Sequence, residues 1–148
     1  MENNEWIIRP AEIADSNRIF EFLCELEDCV FDYQEFYLNY RNNIFGNNNV
    51  YLVAADKNGL VVGYVSCHGQ TLLHHGGMVY EIQEMFVNKR FRKKGIGHLL
   101  LRSLEERLSK RDYQSLEVTA NIARGETLEF YTKFGFTQTH VKFTRQKK

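Results

Sequence analysis

The chain has 148 residues, 43% of them hydrophobic, 14% aromatic and 26% charged; this composition suits one domain with its own core and excludes a disordered chain, a collagen or a membrane bundle. Net charge is zero, yet residues 1–88 carry 4 Lys/Arg against 13 Asp/Glu, and residues 89–148 carry 15 against 6. That asymmetry points to an anion site in the second half, or to an acidic half docking on a basic one, and away from a uniformly basic nucleic-acid binder.

Trp6, Ile7 and Ile8 before Pro10 read as a short first strand. Asp15 is a plausible N-cap. Ile19, Phe22, Leu23 and Leu26 follow at helical spacing and predict an amphipathic helix. Asp32 with Glu35 resembles a capping box, so a second helix should run to about Phe45, with Gly46 ending it. Residues 50–55 and 60–67 read as strands joined by hairpin-turn chemistry at 56–59. His74-His75-Gly76-Gly77 is a turn, 79–87 another strand, and 89–94 a basic loop. A helix is expected over 96–109, with Leu101, Leu104 and Leu108 on one face, then a strand at 116–118 and a helix over 126–133. Gly135 and Phe136 lead into a last strand near 140–144, at the edge of the sheet. The order β-α-α-β-β-β-α-β-α-β describes one α+β domain over residues 1–148.

Cys24, Cys29 and Cys67 include no Cys-x-x-Cys pair and read as reduced, buried thiols. The first ten residues carry no signal-peptide pattern, and no apolar run is long enough for a membrane span. The expectation is a cytoplasmic protein with neither membrane nor nucleic-acid partner.

The sharpest motif is Arg92-Lys93-Lys94-Gly95-Ile96-Gly97, which follows a strand and opens a helix. Open N–H groups, two glycines and three cations make an anion site there, fit for a pyrophosphate. No Gly-Lys-Ser/Thr follows, so it is not a P-loop. Leu100 stands where a dinucleotide fingerprint needs its third small residue.

Arg-x-x-Gly-x-Gly after a strand is the acyl-CoA signature of the GNAT N-acetyltransferases, and the chain resembles them over nearly its full length. Met85-Phe86-Val87, Asn121, Tyr131 and Gly135-Phe136 agree in order and spacing. Cys24-Glu25-Leu26, Phe31-Asp32, Leu73-His74-His75, residues 81–84 and residues 140–144 resemble one subfamily, the aminoalkylphosphonate N-acetyltransferases. The resemblance implies the acyl-CoA N-acyltransferase fold, a central mixed, mostly antiparallel sheet flanked by helices. It also implies acetyl transfer from acetyl-CoA to the primary amine of a small molecule, best an aminoalkylphosphonate. Another amine (polyamine, aminoglycoside, amino acid or protein amine) and a non-catalytic CoA-binding regulatory module are the rival readings.

The resemblance also assigns parts. Backbone groups of Met85, Phe86 and Val87 would pair with the pantetheine arm, and the loop from Arg92 through Lys93, Lys94, Gly95 and Ile96 to Gly97 would hold the pyrophosphate. Asn121 would contact the pantetheine or orient Tyr131, the acid for the departing thiolate, and Lys133 would reach the 3′-phosphate. Glu81 and Glu84 are the candidate bases. They lie three apart, so an ideal strand turns only one toward the amine unless a bulge resets the phase. Glu81, acting through water, is preferred. Lys142, His75 and Tyr33 are candidate phosphonate contacts, with Arg41 a further cation suggested by the residues alone. His74 and His75 invite a divalent metal, completed by Glu81 or Asp32, because Gly76-Gly77 lets the backbone turn there. His98 reads as solvated, His68 and His140 as structural. Strand pairing at the C-terminus would support a homodimer.

Overall fold

The computed structural model describes residues 5–147. Five strands lie side by side in chain order: β1 (Ile7–Pro10), β2 (Asn49–Ala55), β3 (Val61–Leu72), β4 (Gly77–Val87) and β5 (Ser115–Val118). The first four are antiparallel neighbours, and β5 runs parallel to β4. α1 (Ser16–Glu27) and α2 (Tyr33–Ile44) connect β1 to β2, α3 (Ile96–Leu108) connects β4 to β5, and α4 (Gly125–Phe134) follows β5. The mixed, mostly antiparallel α+β sheet is the one the sequence predicts.

Strand alternation sorts the core into two layers. Val50, Leu52 and Ala54 of β2 face Leu100, Leu101, Leu104 and Leu108 of α3. Val53 and Ala55 face Ile19 and Phe22 of α1 and Tyr40 of α2. The four α3 leucines are fully buried, each contributing about 1.5–3 kcal/mol by leaving water. The β2–β3 turn closes as its residues predict. The Asp56 carboxylate accepts from the N–H groups of Asn58 and Leu60, and Gly59 takes φ +88°.

Two features of the sheet shape the site. β4 carries one extra residue, because Ser66 pairs with Glu84 and Cys67 with Ile82, leaving Gln83 as a bulge. β5 pairs with β4 only from Val79 to Ile82. Beyond Ile82, β4 runs on to Val87 with that edge taken by no strand among the described residues.

Four expectations are corrected. Asp15 does not cap α1: the backbone is already helical there, and its carboxylate is turned to Arg9 and to the Glu12 N–H. A one-turn 3-10 helix, Ile13–Asp15, takes up the entry instead. The first strand begins at Ile7 and not Trp6, whose ring sits edge-on to Phe91. Residues 137–147 form no regular element, so the expected last strand is not formed; with no neighbour to pair, Val141 and Phe143 stay 74% and 91% exposed. Cys67 is buried, Cys24 half-buried and Cys29 exposed. Cys29 follows Asp28, whose left-handed backbone ends α1, and so lies outside the apolar face.

Candidate active site

Where β4 and β5 part, a cleft opens. Its walls are Gln83, Glu84 and Met85 from β4, Val118 at the end of β5, residues 119–121 and Arg124 after it, Thr127 and Tyr131 from α4, and Leu26 and Glu27 from the end of α1. The expected pantetheine strand, Met85-Phe86-Val87, forms the open edge beside it. The Phe86 side chain is 3% exposed and stacks on Phe22 at 4.8 Å, so only its main chain is available to a ligand.

At the far end of this edge stands the basic loop. Lys93 and Gly95 both have left-handed backbones, φ +63° and +82°, and Gly95 is the N-cap of α3 with no side chain capping the helix. The open N–H groups of the first turn therefore face outward, with the helix dipole behind them. A Cβ at Gly95 would meet nothing within 4 Å, which leaves room for a phosphate. Lys93 and Lys94 are exposed beside it. Arg92 is a strut: its Nε donates to the Val87 carbonyl at 2.9 Å and its guanidinium lies over Phe86 at 5.6 Å. Ile96 is 1% exposed and anchors the turn in the core. Gly97 admits the Phe130 ring, which a Cβ would meet at 3.1 Å.

Tyr131 reaches the cleft from α4. Its ring meets Phe130 and Phe136 edge-on and is 8% exposed. Burial pushes its hydroxyl up to about 12, so it is protonated at neutral pH. Among the described residues the hydroxyl makes no hydrogen bond, and no buried side-chain oxygen lacks a partner; the group therefore opens to the cleft. Asn121 stands at the lip, its Oδ1 accepting from the Ala123 N–H at 2.9 Å. Lys133 is outside the cleft, exposed and paired with Glu129 at 3.1 Å.

The Gln83 bulge puts both glutamates on the sheet face that carries α1 and α2. Glu84 lines the cleft, as Met85 and Tyr131 do, and accepts a bond from Ser66 Oγ. Glu81 does not line it; its carboxylate accepts from Gln83 and Thr119, both at 3.2 Å. Beside them His68 Nε2 lies 2.7 Å from the Tyr51 hydroxyl, which is pushed up to about 12, chiefly by burial, with the Glu84 charge adding to it.

The structure does not gather the predicted acceptor contacts around this cleft. The Tyr33 hydroxyl lies 3.2 Å from Ser16 Oγ, and its ring packs on Phe20, Phe36 and Tyr37. His74 and His75 sit on the β3–β4 turn, where His75 is 3.9 Å from Glu117. Lys142 is exposed within residues 137–147, and Arg41 is exposed on α2. Among the described residues no three His, Cys, Asp or Glu side chains come together to hold a metal ion, so the suggested metal set is not assembled. His98 is exposed, as expected, although its ring touches Phe130 and Phe134. Sequence reasoning missed Arg124, the one cation lining the cleft among the described residues, whose guanidinium reaches the Leu26 carbonyl at 3.4 Å. Its position after Asn121 was the available signal. It also missed Ser66 and Glu27, for which no local pattern existed.

The acetyltransferase (GNAT) domain family matches residues 27–147. An aminoalkylphosphonate N-acetyltransferase of Salmonella typhimurium is 35% identical over 138 residues, covering 93% of this chain and 89% of that protein. Among solved structures, one titled a transcriptional regulator from Bacillus halodurans superposes with TM-score 0.86 at 20% identity, covering 95% of this chain and 99% of that one. A glucosamine-6-phosphate N-acetyltransferase from Arabidopsis thaliana superposes with TM-score 0.80 at 20% identity, covering 95% and 97%. These two likenesses concern the fold.

Proposed function

The chain belongs to the GNAT acetyltransferase family and is an acetyl-CoA-dependent N-acetyltransferase, and from that premise we propose that its acceptor is the primary amine of a small aminoalkylphosphonate. The similarity to the Salmonella enzyme along almost the whole chain carries this choice of acceptor. The charges of the cleft agree with it. Glu84 supplies a carboxylate for the amine, and Arg124 supplies a guanidinium suited to a phosphonate.

The chemistry asks three things of the protein. An alkylamine has a pKa near 10.4 as reference and must lose a proton before attacking a thioester. Glu84 takes that proton as general base, directly or through one water. Negative charge develops on the carbonyl oxygen, and the main-chain N–H groups on the open edge of β4 beside the bulge stabilise it. Tyr131, neutral in its buried setting, gives its hydroxyl proton to the departing thiolate. The α3 N-terminus, Lys93 and Lys94 hold the pyrophosphate, acetyl-CoA supplying the activated acyl group when bound.

A second reading has one observation in its favour. Glu27, Glu81, Glu84 and Glu117 make this end of the sheet acidic, which suits an oligocationic acceptor such as a polyamine. An acceptor screen with acetyl-CoA and a thiol readout, run with and without chelator, separates the two. Turnover confined to polyamines would overturn the phosphonate assignment.

A further inference from the structure

We infer that Ser66 is a positioning residue for acetyl transfer, one that holds the Glu84 carboxylate in place at the cleft. This rests on the reading of Glu84 as the base.

The Gln83 bulge takes the Glu84 N–H out of the regular ladder between β3 and β4. Ser66 Oγ accepts that N–H at 3.0 Å, and the same hydroxyl donates to Glu84 Oε1. Ser66 is 0% exposed, between Val65 and Cys67, which are equally buried. A hydroxyl is costly at such a position unless its hydrogen bonds are made. Both bonds of this one go to Glu84, and it ties the strand to no helix or loop.

The consequence is a carboxylate with two different oxygens. Oε1 is held by Ser66. Among the described residues the other oxygen takes no hydrogen bond and, since no buried side-chain oxygen there lacks a partner, it faces the cleft. A glutamate on a cleft wall otherwise has several rotamers to lose before it can accept a proton. The serine fixes the side chain in advance, which is what a reacting group requires of its supports. Tyr51 and Tyr64 flank this pair on neighbouring positions of the same sheet face, and Glu27, Arg124 and Tyr131 line the cleft opposite.

The test is a double-mutant cycle in the full chain, reading kcat and both KM values for Ser66→Ala, Glu84→Gln and the pair. Ser66→Ala is expected to lower kcat by roughly 10–100-fold, the usual worth of a partner that orients a reacting group, with KM for acetyl-CoA unchanged. In the Glu84→Gln background the same change should alter kcat by less than about 2-fold, because the group it positions no longer acts. An equal loss in both backgrounds would show a purely structural serine and overturn the inference. So would an unchanged kcat in Ser66→Ala alone. Wild-type kcat in Glu84→Gln would instead defeat the reading of Glu84 as base, and the inference with it. If Ser66→Ala does not fold, Ser66→Cys, nearly the same size with a weaker donor, runs the same cycle.

Discussion

Glu81 and Glu84 share one face of the sheet although three residues separate them. Their partners on β3 are His68 and Ser66, two residues apart and therefore on one face, and the extra residue Gln83 lets β4 keep step with both. An unbulged strand would have turned one of the two carboxylates into the α3 layer. Glu84→Gln is expected to lower kcat by about 10²–10⁴-fold, the usual range for a positioned base. Glu81→Gln, whose carboxylate is already engaged by Gln83 and Thr119, should cost less than about 10-fold. The reverse order of losses, measured at saturating acceptor, would return the role to Glu81.

Tyr131→Phe keeps the ring and its contacts with Phe130 and Phe136 and removes only the hydroxyl. The expected loss in kcat is roughly 10²–10⁴-fold, with acetyl-CoA affinity nearly preserved. A donor with a more acidic thiol should narrow the loss. A raised KM with unchanged kcat would mark the hydroxyl as a binding contact.

Gly95→Glu places a side chain and a negative charge in the open space before α3 and should abolish acetyl-CoA binding, measured by calorimetry. Its φ of +82° also strains any replacement, at about 1–2 kcal/mol. Gly95→Ala carries the strain without the charge, so the two variants separate backbone cost from anion repulsion. Unchanged affinity in Gly95→Glu would remove the loop from the binding site.

An aminoalkylphosphonate should be acetylated with far higher kcat/KM than the matching alkylamine. Arg124→Gln should raise KM for the phosphonate by about 10–100-fold, as loss of a charge-assisted contact of 1.5–3 kcal/mol implies, and leave the alkylamine untouched. If Arg124→Gln raises KM for acetyl-CoA instead, the guanidinium reads the other substrate.

Asp15 gives a pH signature in stability. Burial alone would raise its carboxyl, but two hydrogen bonds from Arg9, at 2.8 and 2.9 Å, and one from the Glu12 N–H hold it below the ordinary value. A depressed carboxyl contributes stability that is present above the unfolded value, near 3.9, and is lost as pH falls through the folded one. Urea unfolding should therefore show a drop below about pH 4 that Asp15→Asn largely removes. At pH 7 that variant should lose about 1–2 kcal/mol, limited because Arg9 is in partial contact with solvent.

Periodicity, turn residues and one loop motif were sufficient to read the elements as far as α4, the α+β class and the candidate anion loop from the sequence, because each depends on neighbours within a few positions. Leucines at helical spacing mark α3, and Gly95 marks its start, whatever lies across the sheet. The tertiary structure decided what pairing across the chain controls. The phase of Glu84 depends on a bulge defined only against Ser66, the entry of Arg124 into the cleft on where α1 ends, and the buried pairing of Asp15 on Arg9. Val141 and Phe143 carry strand propensity in full, yet residues 137–147 make no strand, because a strand exists only where a neighbour offers its hydrogen bonds.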